Sequence, residues 1–229
     1  MEVRLASLIE GAKQAEGTVV VLDVFRAFTT SAVAFSRGAE KIILVAEIEE
    51  ALELRSRLPG ALCMGEVDGI RPESFDLGNS PFELSTADVE GRTLIQSTRS
   101  GTVGAAAADR ASRLYVCSLV VARAMADVIL RDRPELTTIV AMGSWGKSRS
   151  DEDEQCALYL RNLIQGRQPD KDAVRSLILA SGASMNFDDP ALQQYHPMDR
   201  EIALRIDSVP IAMPARREEG LLVVRAEVP

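Results

Sequence analysis

Residues 18–45 read TVVVLDVFRAFTTSAVAFSRGAEKIILV, and this stretch decides the class of fold. It opens with the continuous β-branched run 18–24, which is typical of a strand buried on both faces of a parallel sheet. Small residues then predict a helix at about 31–37, Gly38 ends it, and residues 41–45 predict a second strand. Strand, polar loop, helix and strand in this order form the basic unit of an α/β protein.

Two further stretches repeat this layout. Residues 93–118 predict a strand, the polar loop STRSGT, an Ala-rich helix and a strand. Residues 137–164 predict a strand, a Gly-rich loop and a helix. An ungapped alignment at an offset of 73 residues matches 23–45 to 96–118 with five identities. The first and second stretches are therefore either two similar halves or two ordinary βαβ units. We predict an α/β fold with a layered sheet and flanking helices.

Length and composition limit the domain count and the classes of partner. A chain of 229 residues fits a single compact domain, 1–229, with subdomains 1–90 and 91–229 as the alternative. The net charge of -8 and the aromatic content of 4% argue against nucleic acid and against an anionic membrane as partners. A homo-oligomer stays open, because sequence alone does not address it.

Three cysteines cannot all pair within one chain, and their flanking residues are apolar or helical. Cys63, Cys117 and Cys156 are therefore expected to be buried and reduced. The first residues lack a basic stretch followed by an apolar run, and no run of 18 uncharged apolar residues occurs. We expect a cytoplasmic protein.

Asp23 stands at the end of the first strand, shortly before Arg26 and Thr29. A carboxylate there can hold a hard divalent cation, and a guanidinium can bind phosphate or carboxylate through paired hydrogen bonds. The alternative is a helix cap beside a surface arginine. Phe25 stands where haloacid-dehalogenase phosphatases carry their second aspartate, which weakens an aspartyl-phosphate mechanism without excluding it.

Later loops add candidate oxygen and amide donors. The loop STRSGT, residues 97–102, precedes an Ala-rich helix, and such loops bind anions through backbone N–H groups. Four carboxylates, 151–154, open the third helix; they stabilise its dipole, but their number also suits a metal site. The irregular stretch 65–81 (GEVDGIRPESFDLGNSP) is long for a loop without a function and carries Glu66 and Glu73.

Three other chemistries are excluded. His196 is the only histidine, so a zinc site with several histidines cannot form, and oxygen ligands favour magnesium or manganese. A Ser-His-Asp triad would have one available base and no Gly-x-Ser-x-Gly elbow. Cys117 and Arg123 have the spacing of thiol phosphatases, but residues 119–122 predict a strand end or helix start instead of a Gly-rich anion loop.

With these residues in view, the chain resembles the 2-phosphosulfolactate phosphatase family, magnesium-dependent hydrolases first associated with coenzyme M biosynthesis. The resemblance rests on residues 18–45, on SFDLGNSPFE, on the STRSGT loop and on GSWGKSRSDEDEQCA, with a fainter match in YHPMDREIALRID. The run 75–81 is the most specific part, because generic α/β patterning does not require it. One departure is the third loop, where the family usually reads Thr-Thr-Asn-Gly-Thr.

The resemblance implies a Mg²⁺-dependent phosphatase that hydrolyses the phosphate monoester of a small acidic metabolite, 2-phosphosulfolactate in the first place. It implies catalytic roles for Asp23, Arg26 and Thr29, and metal ligation by Asp23, Glu152 and Asp153. The predicted substrate- or phosphate-binding residues are Asp76, Gly78, Asn79, Ser80, Thr98, Arg99, Gly101, Thr102 and Ser150. The nucleophile, metal-bound water or an aspartate, stays open. The alternatives are a non-catalytic binding protein for a phosphorylated or sulfonated hydroxy acid, and a Mg²⁺-dependent lyase or transferase.

Overall fold

The computed structural model describes residues 1–229 and contains nine strands and ten α-helices, which alternate from β1 to α7 apart from one 3₁₀ turn. The strands are β1 Glu2–Ser7, β2 Gly17–Leu22, β3 Lys41–Val45, β4 Leu62–Gly65, β5 Thr93–Ser97, β6 Ala111–Cys117, β7 Leu136–Ala141, β8 Pro214–Glu218 and β9 Leu221–Val224. The helices are α1 Leu8–Gln14, α2 Ala27–Ser36, α3 Ile48–Arg57, α4 Pro81–Thr86, α5 Gly101–Ala107, α6 Ala122–Asp132, α7 Asp151–Ile164, α8 Lys171–Leu179, α9 Gly182–Met185 and α10 Pro197–Ala203. The predicted α/β class with a layered sheet is confirmed.

All nine strands belong to one sheet, in the order β1-β7-β2-β6-β8-β9-β3-β5-β4. The strands β1, β7, β2 and β6 run parallel to one another, and so do β3, β5 and β4. The hairpin β8–β9 lies between these groups and pairs antiparallel with β6 on one side and with β3 on the other. The two parallel groups therefore run in opposite directions.

The loops that follow the two groups nevertheless meet. Five strand-to-strand steps separate β2 from β5, and a twist of about 20–25° per step accumulates to on the order of 100°. The Ser100 hydroxyl, after β5, donates to the Gly143 carbonyl, after β7, at 2.6 Å. The Arg26 Nη2, after β2, donates to the Gly69 carbonyl, after β4, at 3.2 Å. Four strand-end loops thus converge at one place.

The helix α2 lies inside the fold. Nine of its ten residues are buried, including Phe28, Thr29 and Thr30. A helix that is apolar all round packs as part of a core instead of on a surface. It places the loop between Asp23 and Arg26 next to the apolar interior, where charged groups are poorly solvated.

The two similar units predicted from the sequence cross the hairpin in opposite directions. The first runs from β2 through α2 to β3, and the second from β5 through α5 to β6. In the first unit Leu22 of β2 faces Cys117 of β6, and in the second Gln96 of β5 faces Leu44 of β3. At the offset of 73 residues these two registers agree to within one residue. Strands from 1–90 and from 91–229 are therefore interleaved within one sheet.

Several predicted boundaries and strands need correction. The helix α2 begins at Ala27 instead of about residue 31. The helix α10 begins at Pro197, because proline suits the first position of a helix and the His196 ring accepts from the Met198 N–H. Strands β1, β4 and β8 were not predicted.

None of the ten α-helices combines the length and the apolarity needed to cross a bilayer.

Candidate active site

The converging loops enclose a cavity of about 200 Å³. Its wall includes the aromatic side chains Phe25, Trp145 and Tyr195. The ionisable and amide side chains that line it are Asp23, Arg26, Glu66, Asp68, Asn79, Arg99 and Glu152. Of the predicted site residues, Asp23, Arg26, Asn79, Arg99 and Glu152 are thus brought to one cavity.

Asp23 is held at the start of α2 with almost no exposure to solvent. Its Oδ1 accepts the Ala27 N–H at 2.9 Å. The pKa of Asp23 is raised to about 7. Burial is the main cause and the charges of Glu66 and Glu152 act in the same direction, whereas the hydrogen bond from Ala27 opposes them. A bound cation would relieve this strain on the ionised carboxylate.

Glu152 and Asp153 are adjacent but have different environments. The Glu152 Oε2 is buried without a hydrogen-bond partner, and burial raises the pKa of this carboxyl. Asp153 accepts the Val24 N–H through Oδ1 and the Gly143 N–H through Oδ2, both at 2.8 Å. Asp153 therefore ties two loops together and lies beside the cavity, whereas Glu152 faces it.

Arg26 lines the cavity and is also held by partners within the protein. Its Nη1 donates to the Asp199 carboxylate at 2.8 Å and to the Gln194 carbonyl at 2.7 Å. Its guanidinium also lies 4.9 Å from the centre of the Tyr195 ring. Arg26 therefore fixes the segment 194–199 against the first loop.

Asp199 is a structural centre that sequence reasoning did not single out. Its side chain is fully buried and accepts from Arg26, from the Ser80 hydroxyl at 2.6 Å and from the Phe82 N–H at 2.9 Å. It lies in the faint match YHPMDREIALRID, but nothing in that segment marks it above its neighbours. Asp199 therefore joins α10, on which it lies, to the loop that follows β2 and to the end of the loop 65–81.

The loop 65–81 contributes Asn79 to the cavity. The Asn79 Oδ1 is buried without a partner. Ser80 caps α4 and bonds to Asp199, and the Gly78 N–H donates to Glu83. The predicted ligand Asp76 does not line the cavity, because its Oδ2 accepts the Cys63 N–H and pairs with Arg55.

Glu66 holds the loop 65–81 against the loop 97–102. Its Oε2 accepts the Gly69 N–H at 2.7 Å, and its Oε1 accepts the Arg99 N–H at 2.8 Å. The sequence marked Glu66 as an oxygen donor in a functional loop without placing it among the site residues, whereas Glu73 does not line the cavity.

The predicted threonines act within the backbone. The Thr98 N–H donates to the Thr102 hydroxyl at 2.9 Å, which in turn donates to the Thr98 carbonyl. The Thr29 hydroxyl donates to the Val24 carbonyl at 2.8 Å. All three are fully buried and stabilise the loops, so they shape the cavity without lining it. Gly101 lies against Asp23, where there is no room for a Cβ.

Orphaned oxygens near the cavity suit a hard cation. The Asn79 Oδ1 and the Glu152 Oε2 belong to residues that line the cavity; both oxygens are buried without a hydrogen-bond partner, and leaving such groups unpaired is costly. Ser150 is the N-cap of α7 and does not line the cavity. No group of three or more His, Cys, Asp or Glu side chains is close enough to hold a metal alone. Magnesium commonly uses one or two protein carboxylates and completes its shell with water and substrate phosphate, so the donor set fits it.

A larger cavity of about 700 Å³ lies elsewhere, against β6 and β8. Its Arg113 and Arg131 are paired with Asp132 and Glu227 at 2.7–3.0 Å. None of the predicted site residues lines it. The smaller cavity is the candidate active site because the buried carboxylates and unpaired oxygens gather there.

The cysteine alternative is excluded by burial. Cys63, Cys117 and Cys156 are buried and free, as predicted. The Cys117 thiol donates to the Ser118 carbonyl, and a 3₁₀ turn at Leu119–Val121 replaces the anion loop that a thiol phosphatase needs.

Comparison with known proteins points in one direction. The family model described as 2-phosphosulpholactate phosphatase matches residues 4–196. A protein of Carboxydothermus hydrogenoformans named probable 2-phosphosulfolactate phosphatase is 44% identical over 157 residues, which cover 68% of this chain and 64% of that protein. A protein of Prochlorococcus marinus (strain MIT 9313) with the same name is 35% identical over 188 residues, 81% of this chain and 74% of the relative. A third relative so named, from Bacillus subtilis, is 34% identical over 149 residues, 64% of each chain. The chain thus aligns with less than two thirds of the first and third of these relatives.

Proposed function

Since the chain belongs to the 2-phosphosulpholactate phosphatase family, we propose that it hydrolyses the phosphate monoester of a small acidic metabolite, with 2-phosphosulfolactate as the first candidate. The observation that carries this proposal is the meeting of Asp23, Glu152 and Asn79 at one cavity, each buried and two of them with an unpaired oxygen. The three residues follow β2, β4 and β7, so strand ends from both parallel groups are needed to build this arrangement.

The dimensions of the cavity favour a small substrate. Its volume of about 200 Å³ lies below the range of about 300–1,000 Å³ usual for drug-sized ligands. An organic phosphate with a three-carbon skeleton suits this space. The cavity is also strongly acidic, with four carboxylates and two arginines on its wall, so an anionic substrate requires added positive charge.

We propose that Mg²⁺ supplies that charge, held by the carboxylates of Asp23 and Glu152. When bound, such a cation withdraws charge from phosphoryl oxygens. Asp23 itself is fixed by the Ala27 N–H at the start of α2, where the helix dipole favours an anion. The Asn79 Oδ1 provides a further unpaired oxygen in this cavity, and Tyr195 and Trp145 form part of its wall.

The test is phosphate release from 2-phosphosulfolactate with Mg²⁺, with and without a chelator. We expect chelator-sensitive turnover, and a decrease in kcat of at least about 100-fold in Asp23→Asn, the scale of losing one electrostatic or acid–base group from an active site. Asn preserves the acceptor for Ala27, so folding is retained. Asp88→Asn, which alters an exposed carboxyl remote from the cavity, is the matched control.

Three outcomes decide between the candidate functions. Near wild-type phosphate release by Asp23→Asn contradicts the proposal. Thermal stabilisation by 2-phosphosulfolactate without phosphate release assigns a binding protein instead. Conversion of the ester without inorganic phosphate among the products assigns a lyase or transferase.

A further inference from the structure

Two arginines line the cavity, and their partners differ. The Arg26 side chain is 3% exposed and bound to Asp199, whose other oxygen is shared by Ser80 and Phe82. Withdrawing Arg26 would leave a buried, uncompensated carboxylate, which is strongly unfavourable. Arg26 therefore cannot turn towards a ligand without disrupting the loops that form the site.

Arg99 has a fixed backbone and a loosely held side chain. Its N–H donates to Glu66, and the neighbouring Ser100 hydroxyl bonds the Gly143 carbonyl, so the peptide is anchored on both sides. Its guanidinium makes only one ion pair, with Glu47 at 3.6 Å, and donates no hydrogen bond within the protein. Glu47 is 64% exposed, and exposed pairs of this kind contribute little stability.

The position of Arg99 relates it to the proposed phosphate end of the cavity. It stands two residues before Gly101, whose missing Cβ would lie 2.9 Å from the Asp23 Oδ2. A phosphoryl group near Asp23 would thus leave the rest of a small molecule within reach of the loop that carries Arg99. A guanidinium group can bind two oxygens of a carboxylate, or two of the three oxygens of a sulfonate, through paired hydrogen bonds.

We propose that Arg99 leaves Glu47 and binds the second acidic group of the substrate, which makes the site selective for phosphate monoesters that carry a carboxylate or sulfonate in addition to the phosphate. This inference rests on the proposed phosphatase function and names its substrate class. Arg99 is a specificity-determining residue in this scheme, and Arg26 is a positioning residue.

The test compares kcat/KM for three phosphate monoesters. 2-Phosphosulfolactate carries a carboxylate and a sulfonate, 2-phospholactate carries the carboxylate alone, and ethyl phosphate carries neither. In Arg99→Gln we expect the preference for 2-phosphosulfolactate over ethyl phosphate to fall by about 10–100-fold, the scale of a charge-assisted hydrogen-bonded pair. The 2-phospholactate series shows which acidic group Arg99 binds.

Two variants control for charge and for the competing partner. Arg37→Gln removes the same charge from an exposed position outside the cavity and should retain the wild-type preference. Glu47→Gln frees Arg99 from its exposed partner, so we expect KM for 2-phosphosulfolactate to decrease by up to about fivefold. An unchanged preference in Arg99→Gln, or an equal loss on all three esters, would overturn the inference.

A binding measurement separates this inference from the proposed function. Sulfolactate, which has no phosphate, should raise the melting temperature of the wild type and of Arg37→Gln but not of Arg99→Gln. If no ester is hydrolysed and this pattern appears, the phosphatase proposal fails while the role of Arg99 stands. If esters are hydrolysed and sulfolactate stabilises all three proteins equally, the role of Arg99 fails alone.

Discussion

Asp23 and Arg26 follow the same strand three residues apart, and the partners that surround them assign them to different tasks. Asp23 faces the cavity, and burial and neighbouring acids penalise its charge. Arg26 meets a buried carboxylate, two carbonyls and an aromatic ring within the protein. From residue type alone, both Asp23 and Arg26 could act on a phosphate. The group whose charge has no full set of partners within the protein is the one available to a ligand, and here that group is Asp23.

The raised pKa of Asp23 predicts how stability depends on pH in the metal-free protein. The unfolded chain ionises an aspartic acid near 3.8, whereas folded Asp23 ionises at about 7. Between these values the folded state retains a proton that the unfolded state has released, so the free energy of unfolding decreases as pH rises. Glu152 and Asp153, whose pKa values are also raised, contribute in the same direction.

Urea unfolding in the presence of chelator, from pH 4 to pH 8, checks this prediction. We expect the wild type to lose stability across the window from about pH 4 to about pH 7, and Asp23→Asn to lose less, because it has no proton to exchange at that position. Identical pH profiles for the two proteins would show that Asp23 is not strained by burial.

At the scale of elements, Gly101 fixes how closely α5 approaches α2. A Cβ at this position would lie 2.8 Å from the Ala27 Cβ and 2.9 Å from the Asp23 Oδ2, and neither neighbour can move away freely. We expect Gly101→Ala to reduce the free energy of unfolding by about 1–3 kcal/mol through overpacking and to reduce kcat by displacing Asp23.

Gly182→Ala is the matched control for this substitution. It lies at the start of α9 with no atom within 4 Å of the added Cβ. There alanine should be neutral or stabilising by up to about 1 kcal/mol, because it favours the helix. Chemical denaturation and phosphate release measure both variants. A fully active, fully stable Gly101→Ala protein would contradict the close packing.

The elements that the sequence predicted correctly are those with a strong local signal. The continuous apolar strand β3 and the acidic start of α7 were placed at their observed bounds. The strand β1 reads EVRLAS and pairs on one edge only, and β8 reads PARRE and begins with proline, so neither shows the buried apolar run of a central strand. Pairing with distant strands determines both of them.

Part of the candidate site was also predictable from local sequence signals. Asp23 and Arg99 were identified from loops that follow predicted strands, Glu152 from the acidic start of a helix, and Asn79 from the family resemblance; all four line the cavity. A loop sequence does not show which of its side chains point outwards, and Asp76 turns to Arg55 and the Cys63 N–H. The partners of Arg26 come from about 170 residues further along the chain, and no local pattern connects them.

The whole molecule depends on the hairpin β8–β9 to join two groups of strands that run in opposite directions. The same hairpin adds to the twist that turns the ends of β2 and β5 towards each other. The active-site candidate therefore draws on both groups, although the hairpin itself contributes no residue to the cavity. Stability of the hairpin and integrity of the cavity are expected to be coupled.

Leu222→Ala tests this coupling. Leu222 lies on β9, packs in the main core and faces Leu44 of β3 and Arg217 of β8. Removing its side chain should reduce the free energy of unfolding by about 2–5 kcal/mol. Because strands of 1–90 and 91–229 interleave in one sheet, the loss should appear as a single transition.

Two probes make the outcome decisive. Trp145, the only tryptophan, reports on the cavity through its fluorescence, and far-ultraviolet circular dichroism reports on all helices and strands. Their midpoints in urea should coincide in Leu222→Ala as in the wild type. Leu177→Ala, which truncates a leucine that is 57% exposed on α8, should change stability by no more than about 0.5 kcal/mol. Separate midpoints for the two probes would contradict the coupling, because the cavity would then lose its structure while part of the sheet persists.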